Sequence, residues 1–147
     1  MGTTVSDSLL AASIELMEFC ASEILTHRDE IYPHEAVGIL TADGATYPLI
    51  NQARSSKRFE VNESQVKEAI DVLNDVGKTP VAIYHSHPES ASGPSQRDIS
   101  LMQRMPGALS VIIGQDGIAG WLWDDQLHSV GKIPLPERNR NDDGRTS

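Results

Sequence analysis

Cysteine occurs once in the 147 residues, as Cys20. A single thiol excludes an intramolecular disulfide and any cysteine-based zinc finger. Its scarcity makes the reducing cytoplasm the natural compartment. Basic residues are also few, 12 Lys and Arg against 21 Asp and Glu, for a net charge of −9. That balance argues against nucleic acid and anionic membranes as main partners. No apolar run is long enough to span a bilayer. The opening MGTTVSDSLLAASIELMEFC has no basic n-region and carries Asp7, Glu15 and Glu18, so it does not read as a signal peptide. Gly2 and Ser6 match a myristoylation pattern, but Ser6 or Asp7 is better read as a helix cap. Asn62-Glu63-Ser64 is a glycosylation sequon that a cytoplasmic chain does not use.

What remains is 39% hydrophobic and of a length that suits one domain with a sizeable core. Leu9, Leu10, Ile14, Met17, Ala21, Ile24 and Leu25 recur at helical spacing, which predicts an amphipathic helix from residue 7 to about residue 26. VGILTADGATYPLIN predicts a hairpin that turns near Asp43-Gly44. Asn62 with Gln65 reads as a capping pair for a helix from about residue 63 to residue 76, which Gly77 closes. PVAIYHSH is rich in β-branched and aromatic residues and predicts a strand that Pro88 ends. A loop, ESASGP, and a short helix, SQRDISLMQRM, follow. ALSVIIG and GIAGWLWDD then form strands around a QDG turn, and a last strand runs from about residue 126 to residue 133. There are no internal repeats. From Pro134 the chain is polar, and residues 134–147 read as a disordered tail to a domain of residues 1–133. The fold class is α/β, a single domain with one mixed sheet and helices packed on it.

The chemistry concentrates in HSHPESASGPSQRD, residues 85 to 98. On a strand, side chains alternate faces, so His85 and His87 point the same way while Tyr84 and Ser86 point the other. Two imidazoles one strand step apart can meet a common metal. Ser95 fits a helix N-cap, which puts Asp98 in the first turn at N3. The intervening loop is long enough for Asp98 to fold back on the strand end. Two histidines and a carboxylate leave one position of a tetrahedral zinc ion open. Taken alone, SxxD is an ordinary capping box, HxH an ordinary surface strand and Asp98 a solvated charge. The succession of strand, proline, loop and capped helix in one short segment is what chance does not readily supply.

A catalytic zinc also needs a base near its water, and YPHEAVGIL offers Glu35 just before the first hairpin strand. By itself it reads as a surface carboxylate. His34-Glu35-Ala36-Val37-Gly38 is not a zincin motif, because the second histidine of HExxH is missing.

Glu35, then His85-Ser86-His87-Pro88, six residues, then Ser95 and Asp98 follow the pattern of the JAMM, or MPN-plus, zinc metallopeptidase family, which the chain resembles. YPHEAVGIL and NQARSSKRFEVN resemble that family's opening and middle segments, and the likeness spans about residues 8 to 130. Ala36-Val37 departs from the cysteine that many prokaryotic relatives carry before the glycine, at positions that are not ligands. The resemblance implies a curved mixed β-sheet flanked by helices, like that of cytidine deaminases. Deamination itself is disfavoured, because it uses a P-C-x-x-C ligand pair that Cys20 alone cannot supply.

The resemblance further implies one zinc ion per chain held by His85, His87 and Asp98, with Glu35 moving protons and the Ser95 hydroxyl helping to hold the oxyanion. The expected activity is hydrolysis of a peptide or isopeptide bond at the C-terminal tail of a ubiquitin-like or sulfur-carrier protein. A stand-alone version of the phage tail-assembly branch, acting on a phage structural protein, is the alternative. A catalytically dead MPN scaffold is a third, against which stands the retention of both histidines and the aspartate. His34 and His128 need no catalytic role.

Overall fold

The computed structural model describes residues 5–136. Ser6 caps the first helix, α1 (Asp7–Ile31), its Oγ accepting from the Leu9 N–H at 3.1 Å. The helix continues past its expected end near residue 26. Nothing between there and Pro33 breaks it, and His27 extends the buried face formed by Met17, Cys20, Ile24 and Leu25. Pro33 disfavours helical backbone at the residue before it, and Tyr32 is accordingly extended. Gly2 of the myristoylation pattern lies outside the described residues.

The hairpin forms as β1 (Val37–Thr41) and β2 (Thr46–Leu49). Gly44 takes the left-handed backbone that its turn requires, with φ at 86°. Next come α2 (Glu63–Asp75), β3 (Pro80–Ser86), α3 (Gln96–Gln103), β4 (Leu109–Gly114), β5 (Gly117–Trp123) and β6 (Leu127–Ile133). The capping pair expected at α2 is half formed. Asn62 Oδ1 accepts from the Ser64 N–H and hydroxyl, while Gln65 Oε1 is buried without a partner among the described residues. The last regular residue of β3 is Ser86 and not His87, although the His87 N–H still donates to the Ile113 carbonyl at 2.7 Å. The expected tail lies outside the described residues from residue 137 on. Just before that point, Leu135 packs against the core.

The six strands form one mixed sheet in the order β2-β1-β3-β4-β5-β6. Only β3 and β4 run parallel, joined through α3; the other neighbours are antiparallel. Alternation along β3 divides the core. Ala82 and Tyr84 join Met17, Cys20 and Ile24 of α1, together with Leu40, Val111 and Ile113. Ile83 packs on the opposite face with Val37, Ile39, Leu49 and the α2 residues Ala69 and Leu73. Full burial of each such side chain contributes about 1.5–3 kcal/mol. The division places helices on both faces and leaves the C-terminal end of β3 free to carry the histidines.

Candidate metal centre

His85 and His87 share the face of β3 that Ile83 uses, and their Nε2 atoms lie 3.2 Å apart. Asp98 reaches them from the first turn of α3. Its Oδ2 is 3.1 Å from His85 Nε2 and 3.0 Å from His87 Nε2. All three side chains are buried. The carboxylate is aimed by its own helix cap. Ser95 Oγ accepts from the Asp98 N–H at 3.1 Å, and Asp98 Oδ2 accepts from the Ser95 N–H at 3.0 Å. The capping box and the donor cluster are therefore one structure, built on the same carboxylate oxygen.

Glu35 lies at the entry to β1, 2% exposed. Its carboxylate and the two imidazoles have donor atoms that all lie within 4.8 Å of one another. Glu35 Oε1 is buried with no hydrogen-bond partner among the described residues. Burial above all pushes this carboxyl up to about 8; the Asp98 charge adds to that, and His87 and Arg97 oppose it. Burial lowers the His85 imidazole despite its contact with Asp98. It also acts to lower His87, but hydrogen bonds to Asp98 and to the Ala91 carbonyl outweigh it, so His87 is raised. Burial disfavours the Asp98 charge as well, yet the two histidines hold this carboxyl far below the ordinary range.

The donor set fits a zinc ion. His87 Nδ1 donates to the Ala91 carbonyl at 2.8 Å, so when the ring is neutral its Nε2 is a bare lone pair. That lone pair faces a carboxylate oxygen, an arrangement that calls for a cation or a proton between them. The triangle edges of 3.0, 3.1 and 3.2 Å are close to the roughly 3.3 Å that separates ligands at about 2.0–2.1 Å around tetrahedral zinc. A backbone carbonyl on the second ring nitrogen is the usual outer partner of a ligating histidine. Glu35 stands beside this triangle as the fourth buried donor.

Ser95 is exposed at the rim, its hydroxyl hydrogen unused in any described hydrogen bond. His34 is half-buried next to Glu35, and His128 pairs with Asp124 at the start of β6. Beside His85 and Asp98 opens a cavity of about 520 Å³, walled by Val37, Phe59, Ile70, Leu101 and Met102 among others.

Several further residues shape the site. Ser86 Oγ accepts from the Ala36 N–H at 2.8 Å, tying the Glu35 segment to β3. The Phe59 ring packs against His85 with centroids 4.7 Å apart. The loop that presents the Ala91 carbonyl is held by Asp116 Oδ1 accepting from the Ser92 N–H and by Trp121 Nε1 donating to the Ser92 carbonyl. Ser86 lies within HSHP, and its direction away from the histidines is the sequence signal of its role.

The fold and this donor cluster define a protein of the JAB type. The family model for prokaryotic homologues of the JAB domain matches residues 18–124, and the chain belongs to that family. It is 26% identical over 84 residues to the CysO-cysteine peptidase of Mycobacterium tuberculosis (strain ATCC 25618 / H37Rv), covering 53% of this chain and 58% of the relative. It is 29% identical over 92 residues to the desampylase of Haloferax volcanii, covering 58% of this chain and 66% of the relative. The matches thus span about three-fifths to two-thirds of those relatives' length. The solution structure of protein DSY2949 from Desulfitobacterium hafniense shares the fold, with a TM-score of 0.66 at 24% identity over 75% of this chain and 84% of that one. Among the described residues, no helix is long and apolar enough to cross a membrane.

Proposed function

We propose that the chain is a zinc-dependent hydrolase of amide bonds that releases or trims the C-terminal tail of a ubiquitin-like or sulfur-carrier protein. The observation that carries this reading is the buried His85, His87 and Asp98 triangle with the unpartnered Glu35 oxygen beside it. The two relatives, named as a CysO-cysteine peptidase and a desampylase, support the substrate class.

His85, His87 and Asp98 would hold the zinc ion. When bound, it would supply Lewis-acid polarisation of a carbonyl and acidify water toward neutral pH. Glu35 acts as general base on the attacking water and returns the proton to the leaving amine. Its raised affinity for a proton, a consequence of burial, suits a group that must both accept and give one near neutral pH. The Ser95 hydroxyl donates to the developing oxyanion while its oxygen caps α3. The apolar cavity beside His85 takes the side chains of an extended tail, and small residues at the cut allow the carbonyl to approach closely.

The test uses a carrier protein ending in Gly-Gly with its terminal carboxyl amide-linked to an aminocoumarin. Wild type should release the dye. Glu35→Gln should keep its zinc and lose roughly 10²–10⁴-fold in rate, the range of a general base. Equal cleavage of the same carrier ending in bulky residues would overturn the tail reading, and full activity of Glu35→Gln would overturn its role.

A further inference from the structure

Glu35 keeps one carboxylate oxygen, Oε1, buried beside the histidines with no hydrogen-bond partner among the described residues. Its backbone, by contrast, is fastened at both its N–H and its carbonyl. The Glu35 N–H donates to the Ser55 carbonyl at 2.7 Å, and its carbonyl accepts from Asn51 Nδ2 at 3.0 Å. Both partners belong to the irregular segment after β2, residues 50–62, which has no ladder or helix to hold it.

Asn51 organises that segment. It is buried, and its amide uses its full hydrogen-bonding capacity. Nδ2 donates to the Glu35 and Arg58 carbonyls, the latter at 3.2 Å. Oδ1 accepts from the Ala53 N–H at 2.9 Å and the Glu60 N–H at 3.0 Å. One side chain thus closes the loop at both ends and fastens it to the peptide of Glu35. The same closure carries Phe59, between Arg58 and Glu60, against the His85 ring.

We infer that Asn51 is a positioning residue for proton transfer, acting through the backbone of Glu35. The inference rests on the reading of Glu35 as the base. It requires both donors of the amide. An aspartate of the same shape keeps the two acceptor contacts but sets a carboxylate oxygen against the Glu35 and Arg58 carbonyls, where nothing donates.

Asn51→Asp is compared with wild type on the aminocoumarin-linked carrier, with zinc content measured in parallel. The expected result is a fall in kcat of about 10-fold or more with KM and zinc content near wild type. In a Glu35→Gln background the same change should cost no further rate, because residues acting as a unit are not additive. A second readout needs no substrate. The Glu35 side-chain carboxyl ¹³C resonance should move in Asn51→Asp, while the His85 and His87 ring resonances of the zinc-loaded protein stay in place. Asn51→Ala, which removes the donors without adding a charge, should give the same pattern. An unmoved Glu35 resonance, a full additional loss in the Glu35→Gln background, or loss of the folded state in both Asn51 variants would overturn the inference. If Glu35→Gln is itself fully active, the base assignment fails instead, and the resonance still reports whether Asn51 positions the carboxylate.

Discussion

Ser95 and Asp98 cap each other, and the Asp98 Oδ2 that accepts from the Ser95 N–H also stands 3.0 Å from His87 Nε2. A local helix-starting device thereby sets where this carboxylate meets two histidines carried by another element. The cap restricts the carboxylate's rotamer, and the same oxygen meets both histidines.

The first prediction separates two possible ligand sets that share the histidines. Glu35 forms a tight donor group with them, and so does Asp98. If Asp98 is the third ligand, Asp98→Ala and His87→Ala lose zinc, whereas Glu35→Gln retains about one ion per chain. Elemental analysis of the three purified variants checks this. Full zinc in Asp98→Ala would transfer the ligand role to Glu35.

Ser95→Ala tests whether the serine is more than a cap. Loss of an N-cap costs about 1 kcal/mol. Loss of an oxyanion donor costs roughly 10²–10³-fold in rate. Both losses are expected together. A lower melting temperature with an unchanged rate would leave the hydroxyl a structural role alone.

Much of this site could be read along the chain because its residues are local. His85 and His87 obey the two-residue period of a strand, and Ser95 and Asp98 obey the geometry of a helix start. Both patterns are written in consecutive residues. The hairpin and the succession of helices and strands followed from turn glycines and apolar runs in the same way; the order of strands in the sheet did not. Helix α1 outran its expected end because His27, polar in composition, is buried against Tyr84. Asn51, Trp121 and Gly114 act across 16 or more residues through backbone groups, which have no signature in side-chain pattern. Gln65 shows the converse, a local motif that the fold leaves half used.

His27 supplies a pH prediction. Its Nδ1 shares a 2.7 Å hydrogen bond with the Tyr84 hydroxyl, and burial lowers the imidazole below 6.5 while Glu30 partly opposes the shift. A lowered histidine binds its proton first in the unfolded chain. Its contribution to stability is complete above about pH 6.5 and is lost as pH falls below that value toward the folded-state value. Denaturant titrations of the zinc-loaded protein should therefore show stability declining on acidification, and His27→Gln should flatten part of that decline. An identical slope in the variant would place the pH dependence elsewhere.

Gly114 ends β4 against the loop that serves His87. A Cβ at this position would stand 2.2 Å from Ser92 N and 2.4 Å from the Ala91 carbonyl carbon. Those are backbone atoms, so no side-chain rotation can relieve the clash. The Ala91 peptide would have to move, and its carbonyl is the acceptor that orients His87 through Nδ1. Loss of such an outer contact typically weakens metal binding about 10–100-fold. Gly114→Ala should therefore lower zinc affinity by that order in competition with a chelator. Gly93→Ala is the control, since a Cβ there meets nothing within 4 Å although it lies in the same loop. Equal zinc affinity in both variants would show that the Ala91 carbonyl does not tune metal binding.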